Sequence, residues 1–312
     1  MSVVSALGHR GGGPGKAPAG APAAAPARRA RGGAYLLLAP GLLYLGLFFV
    51  VPVFALLLTS LYVPVPGGEV GQLQPAFEWR NYVDALGEYW PQLVRSFGYA
   101  LIATVLAFLI GYPMAYVIAV RARGRPFLQE MLLVLVIAPF FTSFILRTIA
   151  WKQILADESF VVAGLRALSV LPPDGRLTAT GVAVVAGLTY NFLPFMTLPI
   201  YANLERLDPR LLEAGGDLYA DGPTTFRKVT LPLSMPGVVA GTLLTFIPAS
   251  GDFVNSVLLG NTTTTMIGQV IDSRFFKVSD YPTAAALSFV LMLAILALVS
   301  VYIRRSGTED LL

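Results

Sequence analysis

The sequence predicts an all-α integral membrane protein with six transmembrane helices, and two observations lead to this fold class. Of the 312 residues, 55% are hydrophobic and 13% are charged, which is about half the charged fraction of an average soluble domain. Six segments are also as long and as apolar as the roughly 20-residue helix that crosses a bilayer. Polar or charged stretches separate these segments, so each is expected to form its own span.

The six predicted spans differ in how much charge they contain. Four carry no charged residue, and the third holds Glu130 and Arg147 near its two ends, where long side chains reach the interface. The fifth contains one acid, Asp252. In chain order the predicted spans cover residues 34–62, 97–120, 127–151, 177–204, 233–260 and 281–303.

The placement of lysine and arginine predicts the orientation in the membrane. Most of the 22 basic residues fall in the two tails and in the loops after the second and fourth spans, and basic residues concentrate on the cytoplasmic side. We therefore expect a multi-pass protein of the cell (inner, cytoplasmic) membrane with both termini in the cytoplasm. The expected regions are a disordered Gly/Ala/Pro-rich tail at 1–33, the first span with an outer loop at 34–96, a five-helix core at 97–305 and a short tail at 306–312.

The predicted spans lack the residue types that catalysis needs. The chain has no cysteine, and its one histidine, His9, lies in the N-terminal tail. No two carboxylates are spaced along a span as an acid and base pair would require. The sequence therefore predicts no catalytic residue and no metal site, and it argues against an intramembrane enzyme.

A charged segment between the fourth and fifth spans predicts two short helices outside the membrane. Asp208 can cap a helix that begins with Pro209 and runs to about Tyr219. Asp221, Gly222 and Pro223 predict a stop and a restart, with a second short helix over 224–229. The two helices are expected to lie outside the membrane as a pair that is attached rigidly to a span on each side.

This segment carries a resemblance to a known family. The stretch "EAGGDLYADGPTTFRKVTLP" resembles the cytoplasmic EAA loop of ABC importer permeases, whose pattern is Glu-Ala-Ala, three residues, Gly, nine residues, an aliphatic residue, one residue and Leu-Pro. Glu213 and Ala214 match, and Val229, Leu231 and Pro232 match at the required spacing. Two positions depart from the pattern, because Gly215 replaces the second alanine and Tyr219 replaces the glycine.

Three further stretches resemble the first permease subunit of spermidine/putrescine importers, and this resemblance covers about residues 34–305. They are "SFILRTIAW", "LTYNFLPFMTLPIYANLERLDPRLLEA" and "SGDFVNSVLLG". The resemblance implies the type I ABC importer permease fold, with coupling helices at about 208–231 and polyamine uptake by alternating access. Two alternatives stay open, an ABC importer permease for another small solute and a secondary transporter that acts alone.

The same resemblance implies which partners the chain has and which of them binds ATP. The chain would bind no cofactor itself, since ATP and Mg belong to a dimeric cytoplasmic ABC ATPase. A second homologous permease, an extracytoplasmic solute-binding protein and the lipid bilayer complete the expected partners, and nucleic acid is not among them. The residues that the resemblance assigns to ATPase coupling are Glu213, Ala214, Gly215, Gly216, Tyr219, Arg227, Leu231 and Pro232.

Polar residues inside the spans are candidates for the translocation pathway. Asp252 either lines a path for a cation or caps a helix break after Gly251, and Asn255 would share its helical face. Tyr190 and Asn191 either contact the solute or form hydrogen bonds between helices.

Two residues at the outer end of the third span and three glycines complete the candidate residues. Arg147 and Trp151 fit an interfacial anchor, whereas the resemblance points to the outer gate or the binding protein. Small residues let transmembrane helices approach one another closely. We therefore expect close helix packing at Gly111, Gly181 and Gly187.

Overall fold

The computed structural model describes residues 31–217 and 219–305. The predicted disorder of the N-terminal tail, with His9, and the predicted C-terminal tail at 306–312 therefore lie outside the described residues. Only residues 31–33 of the predicted tail are described, and they begin the first helix. The chain divides into two compact units, Met1–Pro52 and Val53–Leu312.

The first unit is helical where it is described. It contains α1 (Arg31–Leu45), a π-helical turn (Gly46–Val50) and the beginning of α2 (Val51–Ser60). The stretch Leu38–Ser60 is long and apolar enough to cross a membrane, and none of its most apolar window is buried within the chain. This result confirms the first predicted span, and it is what a helix surrounded by lipid requires.

The second unit is mainly a helical bundle. Beyond α2 it holds one two-stranded antiparallel ribbon, in which Val63 pairs with Gln74 and Pro64 with Leu73. Its elements are β1 (Val63–Pro64), β2 (Leu73–Gln74), α3 (Arg80–Tyr116), a π turn (Val117–Arg121), α4 (Pro126–Ile137), a 3-10 turn (Ala138–Phe141), α5 (Phe144–Ile154), α6 (Phe160–Ala167), α7 (Gly181–Glu205), α8 (Pro209–Asp217), α9 (Gly222–Thr225), a π turn (Phe226–Thr230), α10 (Leu231–Ser250), α11 (Val254–Leu259), α12 (Ile267–Ser273), a π turn (Arg274–Val278) and α13 (Tyr281–Arg305).

Six spans are compatible with these helices. In the described part of the chain, five helices are long and apolar enough to cross a membrane, and the bent pair α4–α5 makes a sixth when it is counted as one span. The fold class predicted from composition and segment length is therefore confirmed.

The predicted outer loop up to residue 96 is helical in its second half, because α3 already begins at Arg80. Charged residues at this end of α3 conceal the helix from a search for apolar segments. Its apolar face nevertheless packs on α12 and α13 through Ala85, Tyr89 and Leu93. Arg274 fixes the same region through an ion pair with Glu88 (2.9 Å).

The third and fifth predicted spans are also interrupted rather than continuous helices. The third bends by 99° between α4 and α5, where Pro139 precedes an extended Thr142. Proline removes a helical hydrogen bond and so favours such a break. The fifth ends at Ser250, which places Asp252 in a turn before α11 rather than inside a long helix.

Helix α7 lies at the centre of the bundle, against α3 and α10, and small residues allow the helices to approach. A β-carbon added at Gly237 of α10 would lie 2.8 Å from the Pro199 carbonyl oxygen of α7. At Gly111, Gly181 and Gly187 an added β-carbon would also lie under 3 Å from a side chain of another helix. The predicted packing role of these three glycines is confirmed.

Candidate functional site

The first candidate site is the segment α8–α9, and its beginning agrees with the capping prediction. The Arg210 backbone N–H donates to Asp208 Oδ1 (3.0 Å), and Pro209 is the first residue of α8. The Asp208 carboxylate accepts from a backbone N–H at the beginning of the helix, where such groups have no partner within the helix. Proline at the first position has no N–H that would be left unpaired. The prediction that a helix begins here is therefore confirmed.

Helix α8 ends two residues earlier than predicted, at Asp217, because the backbone turns left-handed at Tyr219, where φ is +56°. The N–H of Ala220 then donates to the carbonyl of Gly215 (3.0 Å), which closes the end of the helix. The next helix is capped by Asp221, whose carboxylate accepts from the Thr224 N–H (3.2 Å). This hydrogen bond from Thr224 lowers the pKa of the Asp221 carboxyl.

Gly215 provides the contact between α8 and α9. It is buried, and a β-carbon there would lie 2.9 Å from Thr225 Oγ1 and 3.0 Å from Thr225 Cγ2. This close approach accounts for glycine where the EAA pattern has alanine. The structure thus places Gly215 in the packing between α8 and α9, away from their exposed face.

The predicted second short helix is not separate from the fifth span. One continuous helix runs over Gly222–Ser250, with π-helical winding at Phe226–Thr230 just before Pro232. A π turn changes the hydrogen-bond register, which lets the helix accommodate a proline that has no N–H to donate. Leu231 packs against the core at this point, while Pro232 is exposed.

The base of this helix is held by α3. The Phe226 ring meets the rings of Tyr112 and Tyr116 edge-on, at 5.5 and 5.9 Å between centroids. The Tyr112 hydroxyl forms a hydrogen bond of 2.7 Å with the Ser234 hydroxyl. A displacement of α9 would therefore be transmitted to both α3 and α10.

The other end of the segment is held where α7 finishes. Arg123 Nη2 donates to the carbonyl of Glu205 (2.8 Å), and Tyr201 donates to the Glu205 carboxylate (2.7 Å). Gln129 of α4 donates to the same carboxylate (3.2 Å). Helix α8 is thus connected through the end of α7 to the beginning of α4.

Three of the eight predicted coupling residues, Glu213, Tyr219 and Arg227, are exposed on the segment. Glu213 on α8 and Arg227 on the π turn are exposed, and Lys228 lies beside Arg227. Tyr219 is fully exposed, at 100%. Ala214 and Gly216 lie in α8 on either side of Gly215. This face presents charge of both signs and one aromatic ring to a partner.

The second candidate site is a buried polar network that joins three helical elements. Asp252 Oδ1 accepts from the Asn255 backbone N–H (2.8 Å) and from Asn255 Nδ2 (3.2 Å). Asn191 Nδ2 of α7 donates to Asn255 Oδ1 (3.0 Å) and to Thr148 Oγ1 of α5 (3.0 Å). The predicted residues Asp252, Asn255 and Asn191 are therefore in one cluster.

This geometry agrees with both interpretations of Asp252 that the sequence left open. Its carboxylate caps the beginning of α11, as the helix-break interpretation requires. It is 8% exposed, and among the residues the structure describes no Lys or Arg nitrogen forms an ion pair with it. An unpaired acid in such a place is costly and is typical of a functional position.

Tyr190, Trp151 and Arg147 lie outside this hydrogen-bonded cluster. The rings of Trp151 and Tyr190 pack together at 5.4 Å between centroids. The Arg147 guanidinium lies 5.5 Å from the Phe144 ring centroid. Its Nε and Nη1 atoms are buried and have no hydrogen-bond partner in the described ranges 31–217 and 219–305.

Sequence reasoning missed Thr148 and Phe226. Thr148 is a fully buried hydroxyl residue in the middle of "SFILRTIAW", where a small polar residue among apolar ones was the available signal. Phe226 lies inside a segment predicted to be solvated, so its packing against α3 could not be inferred from local composition.

The network depends on a glycine, which gives a first prediction. A β-carbon at Gly187 would overlap Leu259 Cδ1 and would lie 2.6 Å from Asn255 Oδ1. Overpacking of this kind costs about 1–3 kcal/mol, so Gly187→Ala should lower the thermal stability of the purified complex. Gly98→Ala is the control, since nothing lies within 4 Å of its added β-carbon. Equal stability of the two variants would contradict the packing described here.

Comparison with known protein families identifies a match over most of the bundle. Residues 111–306 match the family described as binding-protein-dependent transport system inner membrane component. The chain is 38% identical over 232 residues to the spermidine/putrescine transport system permease protein PotB of Escherichia coli, covering 74% of this chain and 83% of that one. It is 30% identical over 298 residues to the inner membrane ABC transporter permease protein YdcU of Escherichia coli, covering 90% and 91%.

Solved structures agree with this result at the level of the fold. A chain from the crystal structure of a bacterial ABC transporter involved in the import of the acidic polysaccharide alginate superposes with a TM-score of 0.66. It is 18% identical, and the match covers 88% of this chain and 95% of that chain. The helical arrangement described above is therefore similar to that of an ABC importer permease.

Proposed function

The chain belongs to the family of binding-protein-dependent transport system inner membrane components, and on this premise we propose that it moves polyamines by alternating access driven through α8–α9. As a member of that family it is a multi-pass inner membrane permease subunit of an ABC importer and is not itself an enzyme. ATP hydrolysis belongs to a separate ATPase. This assignment favours an importer subunit over a secondary transporter that acts alone.

The observation that carries the coupling proposal is how α8–α9 is attached to the bundle. Helix α8 follows the end of α7 directly, and α9 is continuous with α10. Gly215 and Thr225 pack the two short helices together, and Phe226 joins them to α3. A force on the exposed face would therefore move several spans as one body, which alternating access requires.

The proposed partners follow from the family and from the charge distribution. The ATPase would be a dimer that binds ATP and Mg and contacts Glu213, Tyr219 and Arg227. A second homologous permease would complete the pathway, and an extracytoplasmic solute-binding protein would deliver the solute. The basic residues beside α8–α9 support a cytoplasmic position for this segment and for both termini.

Two observations support a cationic solute of the polyamine class. The PotB relatives are named for spermidine and putrescine transport. In addition, the buried carboxylate of Asp252 has no cationic side chain paired with it among the residues described. A cationic amine in transit could supply that missing charge.

Uptake of labelled spermidine and putrescine tests this function. Cells that express the whole complex should accumulate at least one of the two, on the order of tenfold or more above cells that lack this chain, and excess unlabelled polyamine should compete. Equal accumulation by cells with and without this chain would reject the polyamine assignment. The ATPase must still copurify with the chain in the cells that express it. The importer would then serve another small solute.

A further inference from the structure

Tyr219 combines two features that do not ordinarily occur together. Its φ is +56°, in the left-handed region that suits glycine, and its side chain is fully exposed. A residue with a β-carbon in this region costs roughly 1–2 kcal/mol relative to the right-handed conformation. The EAA pattern has glycine at this position, which suits a left-handed turn. The left-handed backbone therefore agrees with the pattern, whereas the tyrosine ring is where this chain departs from it.

The turn fixes the backbone at Tyr219 through the hydrogen bond from the Ala220 N–H to the Gly215 carbonyl, but this hydrogen bond does not need a side chain at Tyr219. The Tyr219 hydroxyl has no hydrogen-bond partner, and its ring packs on no other ring in the part of the chain that the structure describes. Strained residues persist where the surrounding structure or a function requires them. Glycine would therefore serve the turn as well, and the exposed ring is available for a contact outside the described residues.

The charges around Tyr219 indicate which kind of partner it contacts. Asp217 and Asp221 flank it in sequence, and both are exposed. The hydrogen bond from Thr224 lowers the pKa of the Asp221 carboxyl, which is ionised at neutral pH even at its ordinary value. The two acids next to the ring are repelled by the anionic cytoplasmic surface of a membrane, whereas the basic Arg227 and Lys228 lie further along the segment. A protein surface is therefore the favoured environment.

Tyrosine has the properties of an anchor in protein interfaces. It offers a large apolar area at low entropy cost, and tyrosine is enriched among the residues that dominate binding energy. Tyr219 lies in the turn between α8 and α9, and the same segment carries the exposed charged residues Glu213 and Arg227. The segment thus presents one exposed aromatic ring together with charged side chains.

We propose that Tyr219 inserts into an apolar pocket on the ATPase of its own transport system and determines which ATPase this permease accepts. The proposal rests on the proposed function, since it names one contact of the coupling segment. The partner's pocket would be apolar at its base, with a polar group at its rim for the tyrosine hydroxyl. The left-handed backbone at Tyr219 costs conformational free energy, and in this proposal the contact of the ring with the ATPase offsets that cost.

The test compares Tyr219→Gly with Tyr219→Asn and Tyr219→Phe in the assembled permease pair in lipid nanodiscs. Glycine and asparagine suit the left-handed conformation but remove the ring. Both should keep or raise the thermal stability of the permease while weakening the affinity for its own ATPase by about tenfold or more. Phenylalanine keeps the ring, so its affinity should stay within about threefold of wild type.

Specificity is measured with an ATPase from an unrelated importer. Tyr219→Gly should reduce the ratio of affinities for the two ATPases, because the ring contributes only where its pocket exists. Wild-type affinity for its own ATPase in Tyr219→Gly would overturn the proposal, as would a loss confined to pairing with the second permease. A failure of the proposed function is distinguishable, since the wild-type pair would then not bind the ATPase at all.

Discussion

Replacement of Glu213 by alanine is expected to lower solute uptake by at least about tenfold while the chain stays folded and inserted. Glu213 is exposed on α8, and it has no hydrogen bond or ion pair within the described residues. Removing its carboxylate therefore costs the chain no internal contact. The loss should come from weakened coupling to the ATPase.

Glu130→Ala is the matched control for this experiment. Glu130 is also an exposed acid on a helix, but it lies on α4 and belongs to neither α8 nor α9. Its replacement should leave uptake near the wild-type level. Copurification of the ATPase, membrane insertion and solute-stimulated ATP hydrolysis are measured for both variants. Normal uptake by Glu213→Ala, with the ATPase still bound, would contradict the coupling role.

The fold could be predicted to the extent that it follows from local rules. Apolar length located the spans, and the Asp208-Pro209 pair located the beginning of α8. The early beginning of α3 could not be found in this way, because this end is stabilised by apolar contacts with α12 and α13 and by the ion pair of Glu88 with Arg274, all of which are distant in sequence. The bend between α4 and α5 likewise depends on packing as well as on Pro139.

The candidate site shows the same division between local and distant contacts. The spacing of Asp252 and Asn255 predicted that they would share a face, and one carboxylate oxygen binds both nitrogens of Asn255. The bond from Asn191 to Thr148 joins residues 43 positions apart, and no periodicity predicts it. The sequence shows that Gly215 and Tyr219 depart from the EAA pattern. The close contact of Gly215 with Thr225 and the left-handed backbone at Tyr219 are seen only in the structure.

The second large effect is expected at Asp252, where two variants separate charge from capping. Asparagine caps a helix about as well as aspartate and keeps an oxygen that can accept from the Asn255 N–H. Asp252→Asn should therefore retain the fold and the assembly while polyamine uptake falls by about tenfold or more, because an unpaired negative charge is lost. Uptake in cells and the thermal stability of the purified complex are the measurements.

Asp252→Ala removes the cap as well as the charge. Loss of a cap costs about 1 kcal/mol, and the buried Asn255 donors left without a partner cost roughly 1–3 kcal/mol. This variant should therefore lose stability in addition to uptake. If Asp252→Asn lowers stability and uptake together as Asp252→Ala does, the carboxylate serves the helix break alone. A loss of uptake at unchanged stability in Asp252→Asn assigns the charge to the cation pathway, because the cap is then intact.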